Sequence, residues 1–200
     1  MALRNAPYLG LERCPHCSVA KPSLGSQWAG ASKAHDGTNP RVWSVYACAT
    51  CGGMVMTSAP SNIQNATIAA LWPTPVEVSD TVPARARDFL SQAISSINAP
   101  AGAVMLTASS VDSMLKDKGY KDGSLNARID KAAADHLITA EMAAWAHEVR
   151  LDANDQRHAD EQASLPTAAD ASKCIQFAQA LAQFLYVLPA RVERGRKSPA

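Results

Sequence analysis

From about residue 82 onward, apolar positions recur with the spacing of a single helical face, and turn residues break the pattern at regular points. Pro83 suits a first-turn position, and Ala84 to Ile97 carries Ala86, Phe89, Leu90, Ala93 and Ile97 on one face. Asn98-Ala99-Pro100 interrupts it. A second helix is predicted from about Ala101 to Lys118, ending at Gly119, a residue suited to the position just past a helix C-terminus. Ser124 opens a third, through Leu125, Ile129 and Ala132. Thr139 is a good N-cap for a fourth, with Met142 where a capping box would want Glu, and Met142, Trp145, Ala146 and Val149 as its apolar side. Thr167 caps a last long helix from Ala168 to about Leu188, apolar at Ile175, Ala178, Leu181, Ala182, Leu185 and Leu188. Pro189 is expected to end it, leaving a basic tail with Arg191, Arg194, Arg196 and Lys197.

Before residue 82 the pattern is different. Val42 to Tyr46 reads as a strand, and Lys33 to Pro40 as an exposed loop tip before it. Ser58 to Pro83 is rich in Pro, Ser and Asn and reads as a connector, with one short strand around Ile68 to Trp72. The predicted organisation is a small N-terminal module over 1–57, a connector over 58–81, a helical bundle of about five helices over 82–192, and a basic tail over 193–200. The fold class is mainly α, and no internal repeat is visible.

Composition supports this and narrows the partners. Of 200 residues, 47% are hydrophobic but only 6% aromatic, and alanine is frequent, which favours packed helices over a β-sandwich. The formal net charge is +1, so contact with nucleic acid must come from local clusters of charge. No apolar run is long enough to span a bilayer, and Met1-Ala2-Leu3-Arg4 lacks the hydrophobic segment of a secretory signal. The expectation is a soluble, cytoplasmic protein with no membrane partner.

Four of the five cysteines form two Cys-x-x-Cys pairs, Cys14 with Cys17 and Cys48 with Cys51. In a chain without an export signal this spacing points to metal ligands rather than disulfides. Each pair can lie on one tight turn and supply one edge of a tetrahedron, so the module is read as a zinc ribbon. The glycines after Cys51 relax the backbone where amides approach a thiolate. His16, inside the first turn, is expected to point outward. A site closed by four thiolates has no open coordination position, so the zinc is structural, and it should supply most of the ribbon's folding free energy. Lone Cys174, in the apolar run to Phe177, reads as core.

A polar stripe marks the fourth helix. At 100° per residue His147, Arg150, Asn154 and His158 fall within about 80° of one another, and Arg157 extends the stripe. Arginine can hold a phosphodiester, histidine can move protons and asparagine can orient groups by hydrogen bonds. The same pattern also fits an ordinary solvated helix face. In the ribbon, Trp28, Trp43 and Tyr46 with Lys21, Lys33 and Arg41 fit either a stacking surface for bases or protein, or the ribbon's own small core.

These residues also carry a resemblance. Val82-Pro83-Ala84-Arg85, Leu115-Lys116-Asp117-Lys118-Gly119, Leu137-Ile138-Thr139, Ala146-His147-Glu148-Val149-Arg150 through Asn154 to His158, and Leu185-Tyr186-Val187-Leu188-Pro189-Ala190-Arg191-Val192 resemble a family of uncharacterised prokaryotic helical domains. That family is also found fused to type I restriction subunits and lies in or near the HEPN superfamily of RNases. The resemblance implies a homodimer or higher oligomer that cleaves RNA without metal at a site shared between subunits, with the ribose 2′-hydroxyl as nucleophile. It makes Arg150 the phosphate-binding arginine, His158 the acid/base and Asn154 the polar residue between them, supported by His147 and Arg157. Seven residues, 151 to 157, separate Arg150 from His158, one more than the superfamily's usual upper limit. Such RNases serve antiphage defence or act as toxins, which implies a phage or cellular trigger protein. A non-catalytic adaptor, with the ribbon binding nucleic acid or protein and the helices only dimerising, is the alternative. A zinc hydrolase lacks a His-Glu-x-x-His cluster and an open metal position.

Overall fold

A computed structural model of the chain describes residues 2–60, 66–158 and 164–197; the side chains of 155–158 and 197 are outside the description. The chain divides into two compact units, Met1–Val76 and Glu77–Ala200.

The first unit is built on a four-stranded antiparallel sheet of order β1-β2-β3-β4, formed by β1 (Leu24–Ser32), β2 (Arg41–Cys48), β3 (Met54–Ala59) and β4 (Ala70–Trp72). The molecule is therefore not a pure helical bundle with a minimal ribbon; helices are joined to a real sheet. β2 and β4 fall where strands are expected, and the exposed tip over 33–40 joins β1 to β2. β1 and β3 carry little of the usual signal. β1 is rich in Gly, Ala and Ser, and β3 is only six residues long, beginning just after the Gly52-Gly53 pair. Both form because β2 supplies a well-patterned template between them. The inner face of the sheet buries Leu24, Tyr46, Cys48 and Val55 against Leu9, Leu11 and Cys14. An N-terminal strap crosses this face: Leu9 N–H donates to Leu24, Ile68 N–H to Leu3, and the Asn5 side-chain oxygen accepts from Thr57 at 3.0 Å.

Among the described residues the second unit contains five helical rods. They are α1 (Ala84–Ser95), α2 (Pro100–Asp117), α3 (Leu125–Ala134), α4 (Ala140–His158), and a long rod made of α5 (Ala168–Ala182), a π-helical turn (Gln183–Val187) and α6 (Leu188–Lys197). The caps follow the sequence. The Ser124 hydroxyl accepts from Ala127 N–H, the Thr139 hydroxyl from Met142 N–H, and Thr167 with Asp170 closes a reciprocal capping box. A single core runs through all the rods, with Leu90, Val104, Met114, Leu115, Ile129, Phe177 and Leu181 almost fully buried. Among the described residues no helix is long and apolar enough to cross a membrane.

One helix end differs from expectation. The rod does not stop at Pro189 but continues to Lys197, so the first basic residues after Pro189 are helical. The π turn supplies the reason. Leu188 N–H reaches back five residues to Gln183, and the widened turn relieves the clash a proline ring meets in an ordinary α-helix. The same turn aims Tyr186 inward, where its hydroxyl lies 3.0 Å from both the Met114 carbonyl and an Asp117 carboxylate oxygen. Burial and the Asp117 carboxylate both push this phenol up, so it remains a donor. Tyr186→Phe should cost the helical unit about 1 kcal/mol, read as a lowered urea midpoint with an unchanged slope.

Candidate functional site

Two constellations carry chemistry, one in each unit. In the first, the sulfurs of Cys14, Cys17, Cys48 and Cys51 all lie within 4.8 Å of one another. Two matching turns place them. Ser18 N–H donates to the Cys14 carbonyl and Gly52 N–H to the Cys48 carbonyl, each four residues after the first cysteine of its pair. Ser18 and Gly52 both take the left-handed backbone (φ 56° and 70°) that reverses the chain around the sulfurs. Gly53 N–H points at Cys51 Sγ from 3.4 Å. His16 is no ligand: its Nε2 donates to the Met54 carbonyl at 2.8 Å, and its ring lies on Gly53, where a Cβ would fall 2.5 Å from it.

The donor set fits a metal ion. A tetrahedral ion with metal–sulfur bonds of about 2.3 Å has sulfur–sulfur edges of about 3.8 Å, and Cys14 Sγ lies 3.9 Å from Cys51 Sγ. Electrostatics point the same way. Burial would push the Cys48 thiol up, but the Cys51 and Thr50 amides and the neighbouring sulfurs outweigh it and bring it down to about 6. The Val19 amide draws the Cys17 thiol down, while burial and the Cys51 and Cys14 sulfurs push it up, to about 12. Crowded thiols cannot all ionise unless a cation shares the charge. With four sulfurs filling a tetrahedron, such an ion is closed to substrate and holds structure.

In the second unit, Arg150 is half-buried on α4 beside a cleft of about 170 Å³ lined by Ala108 of α2, Ser124, Leu125 and Asn126 at the start of α3, and Ala153 and Asn154 of α4. Among the described residues its buried Nε has no hydrogen-bond partner and Arg150 makes no ion pair. A guanidinium held this way beside the positive end of α3 is arranged to receive an anion. The stripe is thus only partly assembled. Arg150 and Asn154 share the cleft, whereas His147 is not among its lining residues, its Nε2 lying 2.9 Å from Asp130 of α3. The Arg157 and His158 side chains lie outside the described residues. Ser124 and Asn126 join the site without a direct sequence signal, because only the packing of α3 against α4 brings them there.

Cys174 belongs to neither site. Its thiol is buried 3.6 Å from an Asp152 carboxylate oxygen, and burial with that charge pushes it up to about 12. It stays protonated and unreactive.

The profile of a family described as a domain of unknown function (DUF4145) matches residues 91–198, more than half of the chain. No curated protein and no solved structure matches.

Metal analysis of the purified protein should find one bound ion per chain, lost in Cys48→Ser. The first unit should then unfold while the helical unit keeps its own cooperative transition by circular dichroism. Iodoacetamide at neutral pH should leave Cys174 unmodified until denaturant is added, as mapped by peptide mass spectrometry.

Proposed function

The chain belongs to the DUF4145 family, and on that footing we propose that it is a metal-independent endoribonuclease of the HEPN type. It acts as a homodimer in prokaryotic antiphage defence or toxin-like growth arrest. The zinc-bound N-terminal unit serves as its recognition or sensing module, and a phage or cellular protein triggers it. The observation that carries this reading is the half-buried Arg150, which has no ion-pair partner among the described residues, at a cleft shared with Asn154.

In this reading Arg150 neutralises the scissile phosphodiester, and Asn154 with the first amides of α3 orients its oxygens. His158 exchanges protons. The ribose 2′-oxygen loses its proton and bonds to phosphorus, the 5′-oxygen leaves and takes up a proton, and a 2′,3′-cyclic phosphate remains. Zinc, bound by Cys14, Cys17, Cys48 and Cys51, takes no part in this step. A non-catalytic adaptor whose helices only dimerise is the second reading, favoured by the exposed tryptophans of the sheet.

The test is cleavage of a defined RNA by wild type, Arg150→Ala and His158→Ala in the presence of EDTA, with product ends mapped. Each substitution should lower the rate at least about a hundredfold without changing the thermal transition of the helices. Products should end in a 2′,3′-cyclic phosphate. Wild type that never cuts RNA, alone or with candidate triggers, together with cellular phenotypes identical across the three proteins, would leave the adaptor reading standing.

A further inference from the structure

The sheet has a second face, and its residues are unusual. Register places Trp28, Gly30, Ser32, Arg41, Trp43, Val45, Met54, Met56, Ser58 and Trp72 on the side opposite the buried Leu24, Tyr46, Cys48 and Val55. Simple alternation from Leu24 would have turned Trp28 inward with Ser26. A bulge between Ser26 and Trp28 inserts Gln27 and moves Trp28 to the outer face, opposite Val45. There the indole is 56% exposed and lies over Gly30, where a Cβ would sit 2.4 Å from the ring. Gly30 pairs with Trp43, so the next indole follows on the neighbouring strand. Trp43 is held by its Nε1, which donates to Ser32 Oγ at 2.7 Å, and stacks on Trp72 with centroids 5.9 Å apart and planes 28° apart. Trp72 is 40% exposed. Three of the four tryptophans thus form a line of rings across the strands.

Charge identifies the occupant. No carboxylate lies on this face. Across Met1–Val76, the basic residues Arg4, Arg13, Lys21, Lys33 and Arg41 face only two acidic ones, Glu12 and Asp36, and Asp36 is engaged by Thr38. Arg41 stands on the outer face and Lys33 directly follows β1; neither has an ion-pair partner among the described residues. Arg41 also lines a cleft of about 290 Å³ with Asn39 and Ser58. Ser58 is 1% exposed and its hydroxyl has no hydrogen-bond partner among the described residues, an unfilled polar group at the edge of the tryptophan pair.

We infer that the outer face of the sheet binds single-stranded nucleic acid, with bases stacked on Trp28 and on the Trp43–Trp72 pair and the backbone drawn toward Arg41 and Lys33. This deepens the recognition role proposed for the N-terminal unit and does not require that the helical unit cut RNA. Duplex would bind weakly, because its bases are not free to stack.

The test uses the metal-loaded full chain and a 2′-O-methyl RNA of about twelve nucleotides, which a 2′-hydroxyl mechanism cannot cleave, beside its duplex form. Binding is read by quenching of tryptophan fluorescence and by anisotropy of the labelled strand across a salt series. Saturable binding of the single strand over the duplex is expected. Trp28→Ala and Trp72→Ala should each weaken it about tenfold, while Trp28→Phe keeps most of the affinity. Arg41→Ala should flatten the salt dependence by close to one phosphate contact. Metal content and circular dichroism guard against misfolding, and if Trp72→Ala loses its metal, the two Trp28 variants decide. Three results overturn the inference: no saturable binding, undiminished binding by Trp28→Ala, or self-association that Trp28→Ala abolishes, which would make the occupant a second copy of this chain. His158→Ala keeps the two ideas separable. Oligonucleotide binding with no cleavage by any protein sinks only the RNase reading, and cleavage without binding at the sheet sinks only this one.

Discussion

Four thiols held within 4.8 Å of one another cannot all ionise unless a cation shares their charge. The backbone amides around Cys48 and Cys51 supply enough positive potential to ionise one thiol readily, but not Cys17. A cation bound there would let all four ionise, and its position would make it the pivot of the unit. Cys14 and Cys17 belong to the strap that crosses the inner face, whereas Cys48 and Cys51 close the turn between β2 and β3. Among the described residues seven buried hydrophobic ones form the core there, two of them the clustered Cys14 and Cys48. Beside so small a core, a metal held by the four sulfurs would join strap to hairpin and brace the sheet.

The overall charge of +1 conceals a division between the units. The first holds five basic and two acidic side chains; the second holds the other fourteen and sixteen. A polyanion is therefore attracted by the first unit and mildly repelled by the average of the second, where Arg150 is a local exception in an acidic background. If the proposed reading holds, such a division would separate capture from chemistry: long-range attraction and base stacking would fall to the sheet, while the helical cleft would need only short-range contacts to one phosphate.

Much of the helical unit was legible in the sequence because helices announce themselves locally. Ser124, Thr139 and Thr167 each cap the helix expected of them, and the apolar stripes of the rods became their core. Where the reading fell short, the cause lay in contacts between distant segments. Pro189 looks like a stop until the π turn before it is seen. β1 and β3 lack an alternating pattern and depend on β2 for their pairing. The cysteine spacing disclosed the four-sulfur cluster, since each turn is local and the two pairs meet as donors that could hold a metal ion. The arginine cleft was half legible: helical spacing joins Arg150 to Asn154, but it cannot show that Asp130 holds His147 or that the start of α3 forms a wall.

The tryptophans show why spacing alone could not decide between core and surface. Tyr46 is core and Trp28 is not, and the difference is one inserted residue. A strand without the bulge would keep its ladder regular and bury the indole, both favourable for folding. The observed strand forgoes that burial and places a glycine under the ring, which lowers strand propensity further. Local choices that oppose stability, concentrated on one exposed ring in line with two others, are not explained by folding alone and would suit the proposed contact surface.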